Sequence, residues 1–367
     1  MNTNPTLRLL SLTQSDDWTR YLSRLPKDQQ DVYFTPDLHR LYEKKGDGKA
    51  YCCVFEYAGS IALYPFLSNR INDLGYALDN DYYDIQGAYG YNGVATNTND
   101  ATFFREFQTA WLNWISDNRV IAEFIRFNPV LKNEAFCPWT EPIDVLDNVL
   151  IPLSDYKEIW AHSYDSGVRN AIRKANKYSL AFSLQMGDQI NDSDYAQFIN
   201  LYQDTMQRRD AGDFYYFDQE YFSNLRMFLK DFILLSTVHF EGEIISADLY
   251  LHNHLNAYGF LSGTRRDFFK MSPNTYLRDK TIQALVDLGF QNYSIGGGLQ
   301  RNDSIYRYKK SFSISTESLF YIGKIVHDAD IYNNIVSQWR QRVGEETKNF
   351  EHLLLKYRYG LNDAVAQ

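Results

Sequence analysis

The sequence predicts an α/β fold built twice in one chain. Three observations carry that expectation: two hairpins of matching pattern lie far apart, the same order of elements follows each, and a proline-bearing stretch separates the copies. At 367 residues the chain has room for two domains of roughly 100–200 residues each.

The first hairpin runs over residues 51–57, turns at Ala58-Gly59 and returns over 61–67. The second runs over 234–240, turns at Glu241-Gly242 and returns over 244–251. Both read aromatic-x-Gly-x-Ile: Tyr57, Gly59 and Ile61 in one, Phe240, Gly242 and Ile244 in the other. Alternating apolar residues around a glycine turn are the signature of paired strands. After each hairpin the pattern predicts another extended segment, an amphipathic helix (102–117 and 273–288) and an apolar closing strand (122–127 and 293–295). The seam falls near residue 147, because 131–148 holds Pro138 and Pro142 with little periodicity. One long helix is expected over 155–178, and two more over 194–210 and 218–230. From 328 onward the chain reads as helical, with Ile331, Ile335 and Trp339 on one stripe. The expected organisation is therefore a first domain over 1–147, a second over 148–327 and a helical segment over 328–367.

Composition narrows the function classes. Net charge is −9, which argues against a general DNA binder, but the cations are unevenly placed. Residues 166–182 carry Arg169, Arg173, Lys174 and Lys177 without an acid, and 265–310 carry nine cations against four aspartates. An acidic chain with two basic segments points to one cationic site for an anionic ligand. Three cysteines, two of them adjacent (Cys52 and Cys53), favour a reducing, cytoplasmic setting. The N-terminus lacks the charged and apolar regions of a signal peptide, and no apolar run nears the roughly 20 residues of a membrane span. His252 and His254 share a strand face, but no carboxylate or cysteine stands at ligand spacing, so no metal site is expected. Serine-hydrolase, P-loop and dinucleotide signatures are absent.

The densest chemistry lies between Gly296 and Phe312, with three glycines, four cations and two tyrosines in 17 residues after a closing strand. Glycines permit close backbone approach to a ligand, and a cation beside such a loop can stabilise an oxyanion. In the helix before it, Arg169, Arg173 and Lys177 recur at i, i+4 and i+8, a cationic row roughly 12 Å long. A surface helix complementing its own dipole would look the same. Ser272-Pro273-Asn274-Thr275 reads as a capped helix start, whose free N–H groups suit a phosphate. Arg208, Arg209, Tyr215 and Tyr216 sit in a charged aromatic break suited to a polar substrate. Tyr89-Gly90-Tyr91-Asn92-Gly93 is either a binding loop or a tight bend.

Taken in order, these motifs resemble the FemAB-like acyltransferases, a branch of the GNAT superfamily. The resemblance spans about residues 30–340. It rests on Arg169 to Lys174, on Thr205 with Arg209, on Pro273-Asn274, on Gly296-Gly297 followed by Tyr308, Lys309 and Phe312, and on the Tyr89–Gly93 loop. It implies two tandem GNAT-like domains, each a mixed, mostly antiparallel sheet flanked by helices, sharing a central cleft, with the C-terminal helix packing back on the first. It implies transfer of an acyl or aminoacyl group to an amine of a cell-envelope precursor, such as a peptide or amino sugar. The donor would be an acyl thioester such as acyl-CoA, or aminoacyl-tRNA, with no tightly bound cofactor. In family terms Lys309, with Tyr308 beside it, serves catalysis. Arg169, Arg173, Lys174, Pro273, Asn274, Thr275, Gly296 and Gly297 serve the donor, and Arg209, Tyr215, Tyr89 and Tyr91 the acceptor. The Arg/Gln-x-x-Gly-x-Gly/Ala pyrophosphate loop of ordinary GNAT enzymes is missing from the second repeat, and no residue stands out as a general base, Asp248 and Asp210 being the candidates. A non-catalytic module binding an anionic glycan or nucleotide-sugar is the rival from another class.

Overall fold

β1 (Thr6–Ser11) is followed by helices α1 (Ser15–Ser23) and α2 (Pro36–Lys45), and then by the hairpin of β2 (Lys49–Tyr57) and β3 (Ser60–Arg70). The computed structural model describes residues 4–253 and 255–361, so His254 lies outside the described residues. Short strands β4 (Tyr83–Gln86) and β5 (Ala95–Thr96), helix α3 (Ala101–Asp117) and strands β6 (Val120–Arg126) and β7 (Ile143–Asn148) complete the first run. The second run opens with β8 (Leu150–Pro152), α4 (Tyr156–Glu158) and α5 (Ser166–Ala175). It continues through β9 (Ala181–Met186), α6 (Asp192–Arg208), α7 (Gln219–Phe228), and the hairpin of β10 (Ile233–Phe240) and β11 (Glu243–His252). β12 (Asn256–Thr264), α8 (Pro273–Asp287), β13 (Asn292–Ser294), α9 (Ser304–Lys310), β14 (Ser318–Val326) and α10 (Ala329–Val343) follow.

The two hairpins turn by the same backbone device. Ala58 and Gly59 have φ of 51° and 88°, and Glu241 and Gly242 have φ of 52° and 86°. Two consecutive left-handed residues match the twist of the flanking strands. The chain forms two units, residues 1–144 with 321–367 and residues 145–320. The first sheet runs β1-β2-β3-β4-β6-β14-β7, with β5 on β3, and the second runs β8-β13-β12-β11-β10-β9. In each, the strand that precedes the hairpin (β1, β9) lies antiparallel to it, and one parallel pair (β4 with β6, β12 with β13) brackets the helix between them. In each, an antiparallel strand then covers the closing one: β14 on β6, and β8 on β13. β14 falls before the expected boundary at 327, yet it pairs with β6 of the first unit.

Alternation explains the adjacent cysteines. Cys52 packs with Leu10, Trp18 and Phe34 on one face of β2, while Cys53 packs with Phe103, Phe107 and Trp111 on the other. All three cysteines are buried and free. The α3 stripe of Phe103, Phe107, Trp111 and Ile115 is fully buried, and each such side chain contributes about 1.5–3 kcal/mol.

Two expected helices differ. The single helix over 155–178 breaks at Tyr164-Asp165, because Tyr164 is buried against Phe312 and Asp165 starts α5 by accepting from Val168 N at 2.7 Å. The C-terminal segment is helical only to Val343 and then proceeds through 3-10 turns. Its end is fastened within the first unit, where Tyr357 donates to Asp84 at 2.8 Å and Arg358 pairs with the same carboxylate. No helix among the described residues is long and apolar enough to cross a membrane.

Candidate active site

The glycine loop and the helix after it are held by one carboxylate. Asp303 caps α9 by accepting from Tyr306 N at 2.7 Å, and its other oxygen accepts from Leu299 N and Gln300 N at 2.7 and 3.1 Å. That cap aims Lys309 back over the loop, where its ammonium donates to the Gly297 carbonyl at 2.7 Å. Gly296, at φ 80°, places the space of its missing side chain 3.5 Å from Lys309 Nζ. The expectation that these glycines clear room for a ligand gives way at 297 and 298. A side chain there would meet Asp147 O at 2.4 Å and Asp303 Oδ1 at 2.2 Å, so the protein's own atoms occupy that space.

Beneath α9 lies a buried charge cluster that the sequence reading largely missed. Arg278, on α8, is 7% exposed and Asp248, on β11, is 5% exposed. Arg278 Nη2 lies 3.4 Å from Asp248 Oδ2, which also accepts from Tyr250 OH at 3.2 Å. The guanidinium carbon sits 5.3 Å from the Tyr308 ring centre and 5.5 Å from that of Phe312. Its Nε and Nη1 are buried without a hydrogen-bond partner. The available signal was an Arg-Asp pair among the inward-facing residues of α8: Asp279 is also buried, accepting from Tyr156 OH at 2.7 Å.

Burial pushes the Lys309 ammonium down to about 8, and the nearby Arg278 charge acts in the same direction. Burial likewise raises the Tyr308 phenol, so it stays protonated near neutral pH. Its hydroxyl lies 3.4 Å from Thr275 Oγ1 in the first turn of α8, which joins that helix start to α9. Pro273 occupies the first turn as expected, but Ser272 does not cap it. Ser272 is left-handed at φ 55° and its side chain makes no cap bond. Asn274 Oδ1 instead accepts from Thr275 N at 3.0 Å.

The arginine helix meets α9 at its end, since Asp165 N donates to Ser311 O at 2.8 Å. The cationic row itself does not form. Arg169 turns back to the carbonyls of Trp160, Ala161 and Tyr164, and Lys177 lies beyond the end of α5 at Ala175. Arg173 is exposed, bonded to Asn170 Oδ1 at 2.9 Å and set over Trp160, and Lys174 is exposed beside it. Arg209, the C-cap of α6, is exposed and close enough to Lys309 to oppose its charge. Tyr215 is half-buried, its carbonyl accepting from Tyr202 OH at 2.8 Å.

Tyr89 and Tyr91 belong to the first unit. Tyr91 packs edge-on against Tyr33, Arg126 lies over Tyr89, and Asn92 ties their loop to β6 through Arg126 N at 2.7 Å. The residues brought together around Lys309 all come from the second unit. His252 is buried against Phe290, with Nδ1 3.0 Å from Asn253 O.

Residues 163–310 match the acetyltransferase (GNAT) domain family, a span that contains Lys309, Arg278 and Asp248. No curated protein matches the chain. Among solved structures the fold is similar to that of FemX (TM-score 0.63, 12% identity, 89% of this chain and 99% of that one). It is also similar to the C-terminal domain of a protein from Agrobacterium fabrum named as a lysylphosphatidylglycerol synthetase (TM-score 0.55, 12% identity, 89% and 95%). L-PGS from Bacillus licheniformis has a similar fold too (TM-score 0.54, 11% identity, 88% and 95%). A match to the GNAT domain family over the residues that include the Lys309 cluster thus lies within a chain whose two sheets repeat one topology and whose fold is similar to that of FemX.

Proposed function

We propose that the protein transfers an acyl or aminoacyl group from an activated ester or thioester to an amine of a cell-envelope precursor, with Lys309 stabilising the transition state. The observation that carries this reading is the Lys309 ammonium, fixed by the Gly297 carbonyl at 2.7 Å above a buried arginine. When the acceptor nitrogen bonds to the donor carbonyl carbon, negative charge builds on the carbonyl oxygen. A preorganised ammonium stabilises that oxygen more than it stabilises the ground state. The carbon–oxygen or carbon–sulfur bond then breaks, leaving an amide and a protonated alcohol or thiol.

The start of α8, with Pro273, Asn274 and Thr275, and the exposed Arg173 and Lys174 are the donor-binding groups of this reading. Arg209 and Tyr215 hold the acceptor. Arg169 drops out, because its guanidinium already serves three carbonyls. Between β12 and α8 the chain forms a glycine-free 3-10 helix, Arg266–Met271, in place of a glycine-rich pyrophosphate loop. That, with a fold similar to a domain named as part of a lysylphosphatidylglycerol synthetase, supports an aminoacyl ester as donor over acyl-CoA. Incubation with labelled aminoacyl-tRNA or labelled acetyl-CoA, each with a panel of envelope amines, tests it. Label should pass from the aminoacyl ester to an amine in a Lys309-dependent way; transfer that survives Lys309→Met would remove the lysine from the mechanism.

A further inference from the structure

The loop under Lys309 is bound through its carbonyls and not through its N–H groups. Gly296 O accepts from Val149 N at 3.3 Å, and Gly297 O accepts from Lys309 Nζ at 2.7 Å. Among the described residues nothing accepts from the N–H of Gly296, Gly297 or Gly298. Backbone donors withdrawn from water are ordinarily paired, and this stretch is half-buried. The loop is nevertheless fixed. Asp303 holds Leu299 N and Gln300 N, and a side chain at 297 or 298 would strike Asp147 O or the Asp303 carboxylate. Gly296 differs from both. Apart from the residues adjoining it, the space where its side chain would stand meets one atom within 4 Å, Lys309 Nζ at 3.5 Å. An opening beside three free donors therefore has the ammonium as its wall.

We propose that this opening seats the reacting carbonyl oxygen, with Gly296 bare so that the oxygen can reach Lys309 and with the N–H groups of the glycine run sharing its charge. The inference rests on the acyl-transfer reading and adds where the oxygen sits and what else holds it. Successive N–H groups in a turn with a left-handed residue, here Gly296 at φ 80°, form a concavity that takes anions. The ammonium has donors to spare. One of its three N–H bonds serves Gly297 O, and the other two have no acceptor among the described residues. As the acceptor nitrogen bonds to the donor carbonyl carbon, the C=O electron pair moves onto the oxygen, where these donors meet it. The pair returns as the bond to the departing oxygen or sulfur breaks, and the proton shed by nitrogen ends on the departing atom. Donors in place beforehand need no reorganisation to do this. Asp303 does not compete for them, because both its oxygens are spent on N–H groups of Leu299, Gln300 and Tyr306. A methyl group at 296 would stand where the oxygen must go.

The test is an NMR titration of the full-length protein, labelled with ¹⁵N-glycine, by methylphosphonate at constant ionic strength. This tetrahedral anion stands in for the charged intermediate. The signals of Gly296, Gly297 and Gly298 should shift together with one midpoint. Lys309→Met and Gly296→Ala should each weaken binding by about tenfold or more. Gly289→Ala is the control. Gly289 lies beyond the end of α8 with the same left-handed backbone, φ 84°, and open space where its side chain would stand, so alanine there carries the same strain without filling the seat. It should leave binding within about twofold of the parent. Glycine signals that stay put, or that move alike in the parent and Lys309→Met, overturn the proposal, as does equal weakening by Gly289→Ala and Gly296→Ala. If Gly296→Ala does not fold, Lys309→Met decides. The expected shifts in a protein that moves no label from either donor would uphold the anion seat and remove the transfer reading. Lys309-dependent transfer with unmoved glycines would do the reverse.

Discussion

The two units share a hairpin, a strand order and a helix between parallel strands, yet their buried polar centres are opposite in kind. In the first unit the centre is Glu123 on β6, which is 0% exposed. It accepts from Tyr64 OH at 2.7 Å, Trp139 Nε1 at 3.2 Å and Trp111 Nε1 at 3.4 Å, and His327 Nε2 lies 2.8 Å away. Every side that could receive a ligand is taken by a donor of the same unit. In the second unit the centre is Arg278, with two nitrogens unpartnered and a single loose carboxylate contact. The loops after the closing strands differ in the same sense. Asn128 and Asn133 close the first, where Asn128 N donates to Asn133 Oδ1 at 2.8 Å and Val130 N donates to Asn128 Oδ1 at 2.9 Å. The second presents Lys309 over bare backbone. A fully satisfied buried network stiffens a core, whereas one left unsatisfied holds electrostatic potential for chemistry. One scaffold thus carries a fully paired buried centre in one copy and an incompletely paired one in the other.

The sharpest way to break that comparison is Lys309→Met. Turnover should fall by about 10²–10³-fold, the scale of losing one oxyanion donor, while Tm stays level or rises, since methionine removes a charge that burial disfavours. A falling Tm with intact turnover would make the second centre as structural as the first. Next comes Glu123→Ala, which strands four donors in the first unit. It should cost about 3–5 kcal/mol in a denaturant titration; full stability would deny that pairing its role.

Gly297→Ala sharpens the picture of the loop. Its new methyl group would meet Asp147 O at 2.4 Å, so a loss of about 1–3 kcal/mol is expected from the forced shift. Turnover should fall with it as Lys309 loses its carbonyl anchor, and unchanged values in both assays would show that the loop accommodates freely.

The pH dependence is gentler. With Lys309 at about 8, about nine-tenths of it is protonated at pH 7 and about one-tenth at pH 9. Turnover that needs the ammonium should therefore decline as pH rises through 8. Stability runs the other way. The unfolded chain binds this proton more tightly than the native one between about 8 and 10.4, so this group's contribution to stability rises with pH across that window. A basic limb that persists in Lys309→Met would assign the decline to another group. The smallest effect is Arg169→Met, about 1–2 kcal/mol of stability from freed carbonyls with the donor KM unchanged; a raised KM would return Arg169 to the donor site.

Much of the scaffold was readable without coordinates. Period-two alternation and left-handed turn pairs are local properties, so both hairpins and the helices near 102–117 and 273–288 could be drawn from residues alone. The break at Tyr164 was harder, because Asp165-Ser166-Gly167 is a weak local signal beside a strong basic helix. What stops the helix is Phe312, nearly 150 residues away. Arg169 misled for the same reason: helical spacing says which residues share a face, but not that one of them folds back on the preceding turn.

By itself, then, the sequence determined the repeated α/β plan and the chemistry-rich run from Gly296 to Phe312, since each follows from short-range pattern and residue type, while Lys309 stood out from the other cations of that run only through the family resemblance. Tertiary structure alone decided that Arg278 and Asp248 pair beneath the rings of Tyr308 and Phe312, that Gly297 and Gly298 are filled by Asp147 and Asp303, and that the first unit's centre is closed. Those outcomes depend on which distant groups share a buried volume. There burial magnifies every charge and every missing partner, and spacing along the chain carries no record of it.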